Sequence, residues 1–165
     1  MNIFLPFEKD IDKSVESLDD LRLRSQILEA YTLLSNAVKE KNGKPITGYK
    51  THPVYLFYKD NLPFLLYYGL ACCKEYYQRF FKIHNIEIKF YQIMKMEKIT
   101  FSAQFTPFYA EGSLYDKNYM RTTENVGELF RKKLCEKWKA DEAKGRPPKW
   151  TRRKKPDFWE KEIKN

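Results

Sequence analysis

The 165-residue chain has no apolar run approaching the roughly 20 residues that a membrane-spanning helix needs, so no membrane partner is expected. Its first residues, MNIFLPFEKD, lack the basic segment followed by an apolar stretch that marks a secretory signal. Cysteine is scarce. There are three, and Cys72 and Cys73 are adjacent, which makes a poor disulfide framework. Together these absences lead us to expect an intracellular, reducing setting rather than secretion. With two histidines and no Cys-x-x-Cys pair, a structural zinc site is not expected, and no other cofactor is called for. No internal repeat is visible. Acidic residues are outnumbered by basic ones, 22 against 31, for a net charge of +9. Hydrophobic residues make up 42% and aromatics 16%, enough to close one sizeable core. The charge favours a polyanionic partner, with nucleic acid ahead of an anionic membrane surface.

The most informative stretch is Leu18 to Leu34, LDDLRLRSQILEAYTLL. Leu18, Leu21, Leu23, Ile27, Leu28, Ala30 and Leu34 fall on overlapping three- and four-residue spacings. This predicts a helix buried on more than one side. Asp19, Arg22, Gln26 and Glu29 follow one another at steps of three, four and three, and so form a polar stripe on one face. Polar groups on a buried face are costly unless they pair or meet a ligand. Two readings follow: a paired structural ladder, with Arg22 bridging to Asp19, or a carboxylate held in a semi-buried cleft with Arg22 and Gln26 orienting it.

The rest of the chain reads as mostly helical. Ile3, Phe4, Leu5 and Phe7 are too apolar for a free tail, so the N-terminus should be tied to the body. Ser14 or Ser17 can cap the first long helix, which Asn42-Gly43-Lys44-Pro45 stops near Glu40. The pre-proline residue His52 makes a hinge into a short helix, as a capping residue or as a polar group at the cleft mouth. Asp60-Asn61-Leu62-Pro63 starts a helix to about residue 82, with Gly69 admitting a neighbouring backbone and the two cysteines as small core residues. Residues 87–98 are expected as helix despite a strand-like alternation of Ile86, Ile88 and Phe90. Residues 101–119 read as a packed loop, and 124–144 as a last helix with Val126, Leu129, Phe130, Leu134 and Trp138 inward.

The C-terminal 22 residues differ in kind. They hold nine basic against three acidic residues, +6 of the net +9, interleaved with Trp150, Phe158 and Trp159. We therefore divide the chain into a helical body, 1–145, and a basic, aromatic extension, 146–165. Cations contact phosphates and aromatic faces stack on bases. Arg146, Lys149, Trp150, Arg152, Arg153, Lys154 and Lys155 are the candidate DNA contacts, joined by Arg121. The alternative is a solvated basic tail whose tryptophans pack back on the body.

These landmarks, in this order, resemble the pyrimidine-dimer DNA glycosylase family, the bacteriophage endonuclease V type. The likeness rests on MNIFLP, the Arg-Leu-x-x-Gln-x-x-Glu-like helix, His52-Pro53 and LPFLLYYGLACCKEYYQRF, and is better in the first half. It implies a compact all-α fold of three main helices with long loops, the N-terminal segment threaded between them. It also implies removal of a damaged pyrimidine from duplex DNA and cleavage of the strand through an N-terminal Schiff base. The α-amine would be that of Met1, or of Asn2 if Met1 is removed. An α-amine titrates about two to three units below a lysine, so part of it is a neutral nucleophile near neutral pH. Glu29 matches the family's catalytic glutamate, and Arg22, Gln26, His52 and Arg24 would line the same cleft. Leu28 and Thr32 fall where the phage enzyme has extra arginines, a place for which Arg22 and Arg24 are the available substitutes. The reading is thus a DNA repair glycosylase with AP-lyase activity, monomeric and without metal. The alternatives are a non-catalytic DNA-binding or packaging protein with the same fold, or an enzyme of free nucleotides or RNA.

Overall fold

A computed structural model of the chain describes residues 2–46, 48–111 and 120–163, with the side chains of residues 160, 162 and 163 left aside. The elements in order are α1 (Ile11–Ser17), α2 (Asp20–Lys41), α3 (Pro53–Tyr58), α4 (Leu62–Phe80), α5 (Asn85–Glu97), β1 (Tyr109–Glu111), β2 (Met120–Thr122), α6 (Val126–Ala143) and α7 (Asp157–Ile163). The fold is all-α apart from the antiparallel β1–β2 pair, in which Ala110 faces Arg121.

Local chemistry sets most of the helix ends. Asn42 closes α2, and Gly43 turns the chain with φ of +65°. Asn61 accepts the Phe64 N–H at 3.2 Å to open α4, with Pro63 in the first turn. Both histidines are caps: His52 Nδ1 accepts the Val54 N–H at 3.2 Å for α3, and His84 Nδ1 accepts the Ile86 N–H at 3.3 Å for α5. That cap, with Ile86, Phe90 and Ile93 buried on one face, makes 85–97 helical rather than extended.

The first long helix differs from expectation at its start. Leu18 breaks it, and Asp19 rather than Ser14 or Ser17 stands at the head of α2. The cause is tertiary. The fully buried Arg79 guanidinium donates to the carbonyls of Leu18 (2.8 Å) and Glu16 (2.9 Å), where α1 ends, and pairs with Asp20 and Glu75. Nor is α2 buried all round, since Leu21 and Leu28 are 52% and 50% exposed. Gly69 meets a ring, not a backbone: a Cβ there would lie 2.2 Å from Phe90 Cζ. Of the stretch read as a packed loop, 109–111 is strand β1 and 112–119 lies outside the described residues.

Helices α2 and α4 pack against each other, and the N-terminal segment runs between them and α6. Ile3 and Leu5 are fully buried, Phe4 rests on Phe130 of α6 at 5.4 Å between ring centroids, and the Tyr68 hydroxyl donates to the Phe4 carbonyl at 3.1 Å. The C-terminal stretch lies on the α1–α2 junction and α6. Trp138 of α6 is its anchor, with Trp150, Phe158 and Trp159 packed around its ring. Trp150 is 8% exposed and its indole N–H donates to the Ser17 carbonyl at 3.0 Å. Its ring is therefore a core residue and offers no face to a base, which corrects its assignment as a DNA contact.

Candidate active site

The polar stripe of α2 splits into two halves with different partners. In the first, Asp19 is buried, accepts the Trp138 indole N–H at 2.8 Å and pairs with Arg22 at 3.4 Å. Arg22 also binds Asp141 of α6. Burial pushes the Asp19 carboxyl above its ordinary range against the pull of Trp138 and Arg22. This half is the paired ladder, a clamp between α2 and α6.

The second half meets the N-terminal segment. Gln26 is fully buried, and its amide uses all four bonding positions. Its oxygen accepts the Phe4 N–H (2.9 Å) and the Tyr68 hydroxyl (2.7 Å). Its nitrogen donates to the Asn2 carbonyl and to Glu29 Oε2, both at 2.9 Å. One side chain thus fixes residues 2 and 4 of the chain against the candidate carboxylate. Asn2 is held from the other side too, because its amide pairs with both backbone groups of Ala110, donating at 2.6 Å and accepting at 3.0 Å. A side chain here completes what another strand would supply at the free edge of β1, and Arg121 stands exposed on the opposite edge.

Glu29 is half-buried. Burial raises its carboxyl above the usual range, opposed by the charge of the chain's amino terminus, the Gln26 amide, the Asn2 backbone N–H and Lys137 of α6. A raised carboxylate beside an amine-bearing chain end is suited to carrying protons. His52 is pushed down to about 4, first by burial and then by the same terminal charge, so its imidazole is neutral at pH 7. With Nδ1 accepting from Val54, the proton sits on Nε2 and makes that atom a donor. Met1, the other candidate for the amine, lies outside the described residues.

The remaining candidates are dispersed. Arg24 lies off the Glu29 face, with its guanidinium 4.9 Å from the Phe80 ring centroid. Arg22 is held by Asp19 and Asp141 as described, so neither arginine takes the position beside Glu29, and Lys137 is the side-chain cation whose charge acts on it alongside that of the amino terminus. Arg152 donates to the Arg79 carbonyl at 2.7 Å, and Arg153 grips Glu75 with bonds of 2.8 and 2.7 Å. Arg146 reaches Asp141 at 3.4 Å but is largely exposed, as are Lys149, Lys154 and Lys155. Arg146 and Lys149 open onto a cleft of about 490 Å³ beside Arg22. Lys154 and Lys155 open onto another, of about 660 Å³, with Lys13, Arg131 and Lys161.

Three members of this neighbourhood escape the sequence reading. Tyr68 is hidden in the apolar run of α4. Lys137 is one lysine among many on an exposed helix face. Asn36 does carry a signal: it continues the α2 stripe seven residues past Glu29, and its amide donates to the Gly48 carbonyl at 3.4 Å.

The chain matches no curated protein and no solved structure. Residues 1–88, just over half of it, match the family described as pyrimidine dimer DNA glycosylase. That span contains Asn2, Gln26, Glu29, His52 and Tyr68 and ends before Ala110 and Lys137. With the chain's first residues bracketed against Glu29 and the matching span covering that bracket, the chain belongs to the pyrimidine dimer DNA glycosylase family.

Proposed function

We propose that the protein removes a damaged pyrimidine from duplex DNA and then cuts the strand, using the α-amine at its N-terminus and Glu29. The observation that carries this reading is the Gln26 bracket, which holds the Asn2 carbonyl and Glu29 Oε2 on one amide nitrogen. The amine is that of Met1, or of Asn2 once Met1 is removed. In the first step its nitrogen bonds to the anomeric carbon of the deoxyribose. The bond from that carbon to the base breaks, and the base leaves with a proton. The nitrogen keeps one hydrogen as its lone pair opens the sugar ring and the ring oxygen takes a proton from the Glu29 carboxyl, which leaves a protonated imine. Glu29 stabilises that cation. A base then takes a proton from the neighbouring sugar carbon, and the 3′-phosphate departs with the C–O bonding electrons, which breaks the strand. Water hydrolyses the imine and returns the free amine. A carboxyl raised by burial serves for these transfers because it exchanges protons closer to neutral pH than an exposed one.

The target carbon is shielded in stacked DNA, so a kinked duplex with an extruded base is the expected bound form. Arg121, beside the β1 residue that clamps Asn2, and the exposed Arg146, Lys149, Lys154 and Lys155 supply phosphate contacts.

Borohydride trapping tests the reading. The untagged protein, mixed with ultraviolet-irradiated duplex or with abasic duplex, is expected to give a covalent adduct on the N-terminal peptide. Intact duplex binding with no adduct on either substrate overturns the mechanism and leaves a non-catalytic DNA-binding protein.

A further inference from the structure

The helix that carries Glu29 also carries an uncharged ridge. Leu21, Ser25, Leu28 and Thr32 follow at steps of four, three and four, which stacks them on one side of α2. Leu21 and Leu28 are 52% and 50% exposed, while Leu23, Ile27, Leu33 and Leu34 of the same helix are fully buried. The two hydroxyls of the ridge are turned back on the helix. Ser25 Oγ donates to the Leu21 carbonyl at 3.1 Å, and Thr32 Oγ1 to the Leu28 carbonyl at 2.8 Å. The ridge therefore presents methyl and methylene groups to solvent, and these leave water only against an apolar surface.

Its place is set by Glu29. Leu28 precedes Glu29 directly, with Cα atoms about 3.8 Å apart. Ser25 and Thr32 stand three or four residues from both, so the two side chains share neighbours on the helix surface. At the other end, about 10 Å along the axis, Leu21 lines the cleft of about 490 Å³ together with Arg24, Arg146 and Lys149. An apolar ridge that starts at the candidate carboxylate and ends among exposed cations fits the groove of a nucleic acid duplex, polyanionic at its edges with flat base faces between them. The sugar carbons on which Glu29 acts border the minor groove, and apolar side chains enter that groove by wedging between base steps.

We propose that Leu28 is such a wedge: it enters the base stack from the minor groove beside the nucleotide whose sugar reacts at Glu29, with Leu21 packed on the sugars of the same groove. This role rests on the glycosylase reading above. An intact step must be unstacked to admit a leucine, whereas a step already weakened by damage opens at lower cost. The wedge therefore favours damaged over intact duplex. Leu28 takes no part in the proton transfers.

The probe is a duplex holding one tetrahydrofuran, an abasic-site analogue that forms no imine, with 2-aminopurine beside it in the same strand. The 2-aminopurine emission reports unstacking, and the dissociation constant is measured against salt. Leu28→Ala suits the helix, and thermal melting checks the fold. It is expected to weaken binding by roughly four- to tenfold, the value of half a leucine side chain leaving water, and to remove most of the emission rise. The salt dependence should stay unchanged, because no phosphate contact is lost. Leu28→Met, of similar volume and also apolar, should restore affinity and emission. Wild-type affinity and emission in Leu28→Ala, with the wild-type protein still trapped by borohydride on abasic duplex, overturn the wedge and leave the glycosylase reading standing. A free protein that dimerises, and that Leu28→Ala makes monomeric, overturns the wedge as well, since a second copy then covers the ridge. Wild-type protein that is never trapped on abasic duplex removes the glycosylase reading, and with it the reacting sugar that the wedge serves.

Discussion

Replacing Gln26 by Met keeps the length of the side chain and deletes both ends of its amide. The buried Phe4 N–H then has no acceptor, at a cost of about 1–3 kcal/mol, and the part-buried Asn2 carbonyl loses about 1 kcal/mol more. Tyr68 escapes, because its hydroxyl still reaches the Phe4 carbonyl. The sum is a destabilisation of about 2–4 kcal/mol, which lowers the urea midpoint by about 1–2 M at an unchanged slope. A protein of ordinary stability survives this loss as a folded chain. The chemistry should suffer more than the fold, because residue 2 is no longer fixed against Glu29. A misplacement on the order of 1 Å costs about a hundredfold in rate. The assay pairs urea melts with the rate of borohydride trapping on abasic duplex, at protein concentrations where the DNA is saturated. A Gln26→Met protein that traps at the wild-type rate would refute the claim that this amide positions the amine. A midpoint shift below about 0.3 M would refute the energetic argument as well.

Three further outcomes are expected. Glu29→Gln should bind duplex DNA like wild type and lose roughly a hundred- to ten-thousandfold in strand cleavage. It should melt no lower at pH 8, since burial already disfavours the Glu29 charge, and undiminished cleavage would move the reading to a non-catalytic protein. His52 has its folded pKa near 4, below the ordinary 6.5, so the unfolded chain binds the proton first. Its contribution is full above 6.5 and is lost as pH falls toward 4. His52→Asn, which keeps an acceptor for the Val54 N–H, should flatten that part of the stability–pH curve, and an NMR titration midpoint near 6.5 for His52 would contradict the account. Gly69→Ala places a methyl against the Phe90 ring and should cost about 1–3 kcal/mol despite the better helix propensity of alanine. Adding Phe90→Leu should recover part of that cost in a double-mutant cycle; strict additivity would mean the ring is not what fills the space.

What was legible in the sequence was mostly local. Asn42-Gly43, His52-Pro53 and Asn61-Leu62-Pro63 act on their immediate neighbours, and each sets a helix end as read. The buried N-terminus followed from Ile3, Phe4 and Leu5, which have nowhere else to go. What escaped depends on partners far away in the chain. The break at Leu18 is made by Arg79, 61 residues on. The Asn2–Ala110 pairing joins residues 108 apart. Trp150 could be a stacking face or a core residue by composition alone, and only the Ser17 carbonyl and the Trp138 ring decide for the core. Leu21 and Leu28 fit the apolar spacing of α2 and are still exposed, because nothing in the spacing says how many neighbours a helix has.

The α2 stripe shows why spacing finds a site without assigning it. Asp19–Arg22 and Gln26–Glu29 have the same three-residue step and the same kind of polar pair, and no property of the helix itself tells them apart. The difference is the third partner. Asp141 and Trp138 meet the first pair with fixed side chains that complete its charge and its hydrogen bonds, so it is closed. The second pair is met by the start of the chain, where the backbone N–H and carbonyl of Asn2 and the charge of the amino terminus take the places that side chains hold in the first. A carboxylate completed by side chains is a clamp. One completed by a chain end keeps a carboxyl raised by burial under the pull of a terminal positive charge, and on the function proposed here that single change of partner is what separates a structural ladder from a site for imine chemistry.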